Sequence, residues 1–222
     1  MLLIALSLLV AAEPAAAAGK IAGKVTVGGL APKLATLPVT RDMKICGSSK
    51  PDEALEVGAG GGVKNAVIWV TDAPAPKKIE KKYKLDQQGC LFIPHVLAMP
   101  VGAEVDVVNS DPVLHNVRAQ AGDLKLFNWA MPVKGHVIAT HIKKESIYKV
   151  SCDVHPWMRA WLVVLPTERF ALTDADGAYT IAGLPPGKHK VKIWHERLGE
   201  REQEIDVQPG QTAANDVAFN PR

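Results

Sequence analysis

The sequence predicts an all-β protein built from sandwiched sheets, and two observations carry that reading. Short apolar runs alternate with a period of two, and Gly, Pro, Asn and Asp separate them, the pattern of half-buried strands joined by turns. No run keeps helical periodicity over three turns, so the many short strands point to sandwiches or barrels. The 222 residues suffice for one large domain or two small ones. With 47% hydrophobic and 22% charged residues the composition is that of a globular chain with a packed core.

The chain opens on an apolar run, residues 2–12, followed by small residues in which Ala16 and Ala18 fit a cleavage rule. The run is too short to cross a bilayer core of roughly 30 Å as a helix. No Lys or Arg follows Met1 directly. Residues 1–18 are therefore read as a signal peptide, and the mature protein as periplasmic or otherwise exported. Its removal deletes Glu13 and moves the formal charge from +3 to +4. The lysines of "KKIEKKYK", residues 77–84, read as a solvated linker or strand edge, or as a docking patch for an acidic partner. No nucleic-acid motif is visible.

The strands follow in order as "KVTV" (24–27), "NAVIWV" (65–70), "AEVDVV" (103–108), "SIYKV" (146–150), "WLVVL" (161–165), "AYTIA" (178–182) and "HKVKIW" (189–194). "TDAPAPKK" at 71–78 and "LPTERF" at 165–170 punctuate them. They delimit a β-segment 19–75, a small domain 76–165 and a C-terminal module 166–222. Each flank is short for a core of its own. "DADG" (174–177) lacks the acid that a calcium loop needs at its twelfth position, where Pro185 stands, and reads as a hairpin turn. "GAGGG" (58–62) lacks the Lys-Ser/Thr of a phosphate loop and reads as a turn.

Three cysteines are present, Cys46, Cys90 and Cys152. In an oxidising compartment two tend to pair. Cys46 and Cys90 sit in Gly-containing turns, so parity suggests that they bond each other and leave Cys152 another task.

The chemistry gathers in "SCDVHPWMRAWLVVL", residues 151–165. Alternation puts Tyr148, Val150 and Cys152 on one face, so the strand delivers Cys152 inward at its end. Pro156 stops the ladder and stiffens the turn. Cys152, His155 and Met158 thus occupy one tight connection. Thiolate, imidazole and thioether suit copper, and a His₂Cys set with a weak axial Met is the mark of an electron-transfer copper site. The second imidazole must come from elsewhere, and "VVNSDPVLHNVRA" offers His115 after a strand. Zn²⁺ takes Cys and His but rarely a thioether.

"FIPHVLAMPVGAEVDVVNSDPVLHNV" and "CDVHPWMRAWLVVL" resemble the cupredoxins, the type 1 blue copper proteins of the plastocyanin and amicyanin type, over about residues 90–165. The flanks, "GKIAGKVTVGG" and "LTDADGAYTIAGLPPGKHKVKIW", resemble carboxypeptidase-regulatory-like modules. The resemblance implies a Greek-key cupredoxin β-sandwich plus a second, small Ig/transthyretin-like β-sandwich, split around it. It implies one copper ion held by His115, Cys152, His155 and Met158, with Asn116 tying the two ligand loops together. Trp157 stands where that family more often has Phe. The implied activity is single-electron carriage, with His155 as a partly exposed port framed by Pro156 and Trp157. The implied partner is a transient redox protein, such as a c-type cytochrome or a periplasmic oxidoreductase. Alternatives are a copper-delivery protein and a cell-envelope module with structural copper. No catalytic constellation is visible, so an enzyme is not expected.

His95 is read either as a hydrogen-bonded histidine or as an extra ligand or proton acceptor beside the metal. His136 and His141, five apart in "KGHVIATHIKK", fall on opposite faces of a strand. His189 and His195 are expected to be solvated.

Overall fold

The computed structural model describes residues 16–29 and 34–220. The signal segment expected at 1–18 therefore lies almost entirely outside the described residues. In chain order come β1 (Gly19–Val27), β2 (Leu37–Pro38), the single helical turn α1 (Met43–Cys46), β3 (Ser49–Lys50) and β4 (Val67–Val70). Then come β5 (Tyr83–Gln88), β6 (Leu91–Ile93), β7 (Val96–Pro100), β8 (Glu104–Asn109), β9 (His115–Ala121), β10 (Leu124–Met131), β11 (His136–His141), β12 (Ser146–Ser151) and β13 (Arg159–Leu165). The last six are β14 (Phe170–Leu172), β15 (Ala178–Leu184), β16 (Gly187–His195), β17 (Gly199–Val207), β18 (Thr212–Ala214) and β19 (Val217–Phe219). Every run named from the sequence overlaps a strand; β8 and β12 bury one face by alternation, whereas β4 is buried on both.

The strands form two sandwiches. One faces the sheet β10-β9-β12-β13-β7 with the sheet β11-β8-β5-β6. Its core includes Phe92, Met99, Val107, Val117, Tyr148 and Leu162. The other faces β15-β1-β18, with β19 also on β1, with β14-β4-β16-β17, around Ile21, Val25, Ile68, Ile181 and Val191. β1 pairs β15, and β4 lies between β14 and β16. The second sandwich is therefore split around the first.

The two sandwiches share an apolar seam, with Val67, Trp69 and Trp194 packing against Val96, Ala98 and Val163. Trp161 and Trp194 meet edge to face at 5.2 Å, a favoured aromatic geometry.

Three expectations change. Residues 37–50 belong with neither flanking strand set. They form a strap on the first sandwich, where Val39 and Cys46 enter its core. The "DADG" turn is no hairpin, because β14 pairs β4 while β15 pairs β1. The turn crosses between sheets, and Asp174 Oδ1 accepts the amides of Asp176 and Ala178, each at 2.9 Å. His189 and His195 are buried rather than solvated. They alternate with Val191 and Ile193 along the inner face of β16, which puts them in the core register. On β11 burial alternates, half-buried at His136 and exposed at His141, so those two histidines do separate to opposite faces.

Candidate metal centre

Cys152 directly follows β12 and continues its inward row, and Tyr148, Val150 and Cys152 are all buried. The turn after it closes twice. The Met158 amide donates to the His155 carbonyl at 2.9 Å, and the Cys152 amide donates to the Met158 carbonyl at 3.3 Å. His115 starts β9 at the same end of the sandwich. The ligand atoms of His115, Cys152 and His155 lie within 4.8 Å of one another. His115 Nδ1 is 2.8 Å from His155 Nδ1, which is 3.7 Å from Cys152 Sγ. His115, His155 and Met158 are 0% exposed and Cys152 is 3% exposed.

Each histidine is backed by a carboxylate. His115 Nε2 donates to Asp111 Oδ2 at 3.0 Å, and His155 Nε2 donates to Asp42 Oδ2 at 2.8 Å. A carboxylate accepts, so it fixes the proton on Nε2 and leaves Nδ1 with its lone pair. Two such lone pairs, buried and facing each other, repel unless a proton or a metal cation lies between them. Burial holds the His115 pKa below the ordinary value despite the Asp111 hydrogen bond. Two imidazole nitrogens and a thiol sulfur, with a buried thioether in the same turn, form a donor set that fits copper.

The supports of these ligands are long-range. Asp111 also accepts the amides of Gly89 and Cys90, each at 2.7 Å. Asn109 Nδ2 ties the loop by donating to the Val113 and Met131 carbonyls at 2.9 and 2.8 Å. Asp42 begins the α1 turn with φ 49°, a left-handed conformation that Asp tolerates. Its carboxylate does not cap that turn and so is free for His155. The disulfide Cys46–Cys90 joins the strap to the Gly89–Cys90 turn, so one covalent link connects the supports of both histidines.

Asn116 sits where the two loops meet. Its amide N–H points at Cys152 Sγ at 3.5 Å, and its Nδ2 donates to Asp153 Oδ2 at 3.0 Å. The Asp153 amide donates back to Asn116 Oδ1.

Of the two readings of His95 the hydrogen-bonded one holds, whereas the expectations for Trp157 and for an open His155 do not survive. His95 is not at the cluster. Its Nδ1 lies 3.1 Å from the Arg159 carbonyl and its Nε2 bonds Glu196 of the second sandwich, so neither nitrogen is left for a metal. Burial lowers the His95 pKa, but the hydrogen bond to Glu196 and the charges of Glu196 and Glu53 outweigh it and raise the pKa. Trp157 is 6% exposed, tilts against His155 at 5.0 Å and donates Nε1–H to the Cys90 carbonyl at 3.1 Å. It packs the site and cannot frame a docking patch, although Pro156 is exposed. His155 is covered by the strap rather than open as a port. Asp42 and Asp111 were missed. Asp111 precedes His115 by one i,i+4 step, a signal that was available, whereas Asp42 is 113 residues from His155.

The family model of the carboxypeptidase regulatory-like domain matches residues 158–220. A comparison with curated proteins finds no match. Among solved structures the chain is similar to the purple cupredoxin of Nitrosopumilus maritimus, at 25% identity over 37% of this chain and 98% of that one, with a TM-score of 0.33. It is similar to amicyanin from Paracoccus versutus at 21% identity over 44% of this chain and 96% of that one, with a TM-score of 0.34. A copper-containing nitrite reductase from Thermus scotoductus shares 24% identity over 41% of this chain and 24% of that one, with a TM-score of 0.34.

Proposed function

We propose that this chain is an exported copper protein that carries single electrons through a type 1 site of His115, Cys152, His155 and Met158. The observation that carries this reading is the buried pair of imidazole Nδ1 atoms at 2.8 Å, with Cys152 Sγ 3.7 Å from one of them and a carboxylate behind each ring. A bound copper ion would supply the one-electron couple between its cuprous and cupric states.

The chain's own part is to hold the donors still. Asp111 and Asp42 fix the ring orientations, and the Asn116–Asp153 pair locks one ligand loop to the other. His115 begins a paired strand, and Cys152 directly follows one and is held by its amide bond to the Met158 carbonyl. Hydrophobic packing by Trp157 keeps water out. A site sealed to this degree favours a carrier over an enzyme, because catalytic metal sites keep a position open for substrate. The Cys46–Cys90 disulfide supports an oxidising compartment and hence export. No helix among the described residues is long and apolar enough to cross a membrane.

The test is copper titration of the metal-free protein, followed by absorption spectroscopy and cyclic voltammetry. One equivalent of copper, an intense thiolate-to-copper band and a reversible wave are expected. Tight Cu(I) binding without a reversible wave would replace electron carriage by copper delivery. Binding of zinc in preference to copper would end the proposal.

A further inference from the structure

We propose that the docking surface for a redox partner is a basic groove over Cys152, not the His155 edge, and that the partner presents an acidic surface to it. This rests on the electron-carrier reading and adds the place and the chemistry of contact. The usual approach through an exposed ligand histidine is closed, because the strap 37–50 lies over His155. Asp42 bonds His155 at 2.8 Å, His155 has 0% exposure, and Cys46–Cys90 anchors the strap.

The open approach is on the other side of the ligand turn. A groove of about 330 Å³ there is lined by three cations, Arg118, Lys149 and Arg159, and one acid, Asp153, with Cys152 and Pro156 among the rest. Cys152 is the thiol donor, so a partner seated in the groove is one residue away from the metal. The cations are gathered by strand register. Ser151 of β12 is flanked by Arg118 of β9 and Arg159 of β13. Lys149, two residues back on the same outward face, is diagonal to both. Ser151 separates the two arginines, and Arg118 Nε donates to its Oγ at 3.3 Å, so the three cations share one outward face without standing directly opposite one another. The charge is only partly answered within the chain. Arg118 pairs Asp153 at 3.0 Å, Arg159 reaches Asp52 only at 4.0 Å, and exposed Lys149 makes no ion pair among the described residues. The lysine-rich segment 77–84 differs. Lys78, Lys82 and Lys84 pair Glu80, Glu104 and Asp86, and Lys81 stands over the Tyr83 ring. That segment is therefore not the surface we assign to an acidic partner.

Lys149→Glu and Lys44→Glu test the assignment as a matched pair. Both change charge by two units at exposed positions, one in the groove and one on the strap. The first readout needs no metal. Poly-L-glutamate titrated into ¹⁵N-labelled protein at low salt should shift the amides of Arg118, Lys149, Ser151 and Arg159. Lys149→Glu should weaken that binding about fivefold or more, and Lys44→Glu less than twofold. Inorganic phosphate at the same charge concentration serves as the control for a small-anion site. Shifts that phosphate reproduces would overturn the protein-docking assignment.

The second readout is oxidation of the cuprous protein by hexacyanoferrate(III), a trivalent anion. Lys149→Glu should slow it about tenfold at 0.01 M ionic strength and about threefold at 0.1 M, for an approach of roughly 12 Å. Equal or larger slowing by Lys44→Glu would place the electron exit under the strap and overturn the proposal. A wild-type protein without a reversible copper wave would instead overturn the electron-carrier reading, whatever poly-L-glutamate does.

Discussion

Replacing Asp42 by Ala removes the one group that holds His155 Nε2. A carboxylate behind a ligating histidine contributes roughly 10- to 100-fold to metal affinity. Exposure decides where in that range each of the two carboxylates falls. The Asp42 side chain is 43% exposed and that of Asp111 is 7% exposed, so water screens the first bond and leaves the second strong. Asp42→Ala should therefore cost about tenfold in copper affinity, about 1.4 kcal/mol. Asp111→Ala should approach 100-fold, and it should also lower the melting temperature because the Gly89 and Cys90 amides lose their acceptor. The assay is competition with a chromophoric Cu(I) chelator at fixed pH, with circular dichroism to confirm folding. Affinity for Asp42→Ala within twofold of wild type would refute the idea that the strap supports the metal site.

Three other outcomes follow from the same geometry. Burial lowers the His195 pKa from the ordinary 6.5 to about 4, so the unfolded chain takes the proton first as pH falls. His195 thus contributes stability that is present above pH 6.5 and lost towards pH 4, about 3 kcal/mol in all. Urea unfolding of His195→Gln at both pH values should show a shallower loss than wild type, and an unchanged loss would remove His195 as the cause. The double variant Cys46→Ser/Cys90→Ser opens a link across 44 residues and should lose about 4 kcal/mol by chain entropy, measured by denaturant unfolding. Asn116→Ala leaves the Asp153 amide without its acceptor. The bond is exposed and water can replace the acceptor, so the cost should be about 0.5–1.5 kcal/mol, seen as a lower melting temperature of the metal-free protein.

Much of the fold was legible in the chain because strand alternation is a local property. The row Tyr148, Val150, Cys152 announces its inner face, and the Pro156 turn keeps His155 and Met158 beside it. The same rule applied to β16 would have placed His189 and His195 in the core, since they share a register with Val191 and Ile193. Reading them instead from their charged neighbours led to a solvated assignment. His95 was ambiguous for a different reason. It lies at the junction of the two sandwiches, and only their packing brings Glu196 to it.

By itself the sequence determined the all-β class and the clustering of Cys152, His155 and Met158 in one turn, because period and spacing act over a few residues. Tertiary structure alone decided that the strap 37–50 would cover His155, that Trp157 would be packing rather than surface, and that Arg118, Lys149 and Arg159 would converge beside Cys152. Those outcomes depend on which strands become neighbours and on where a disulfide holds a strap. Both are settled by long-range burial and pairing, which no local pattern encodes.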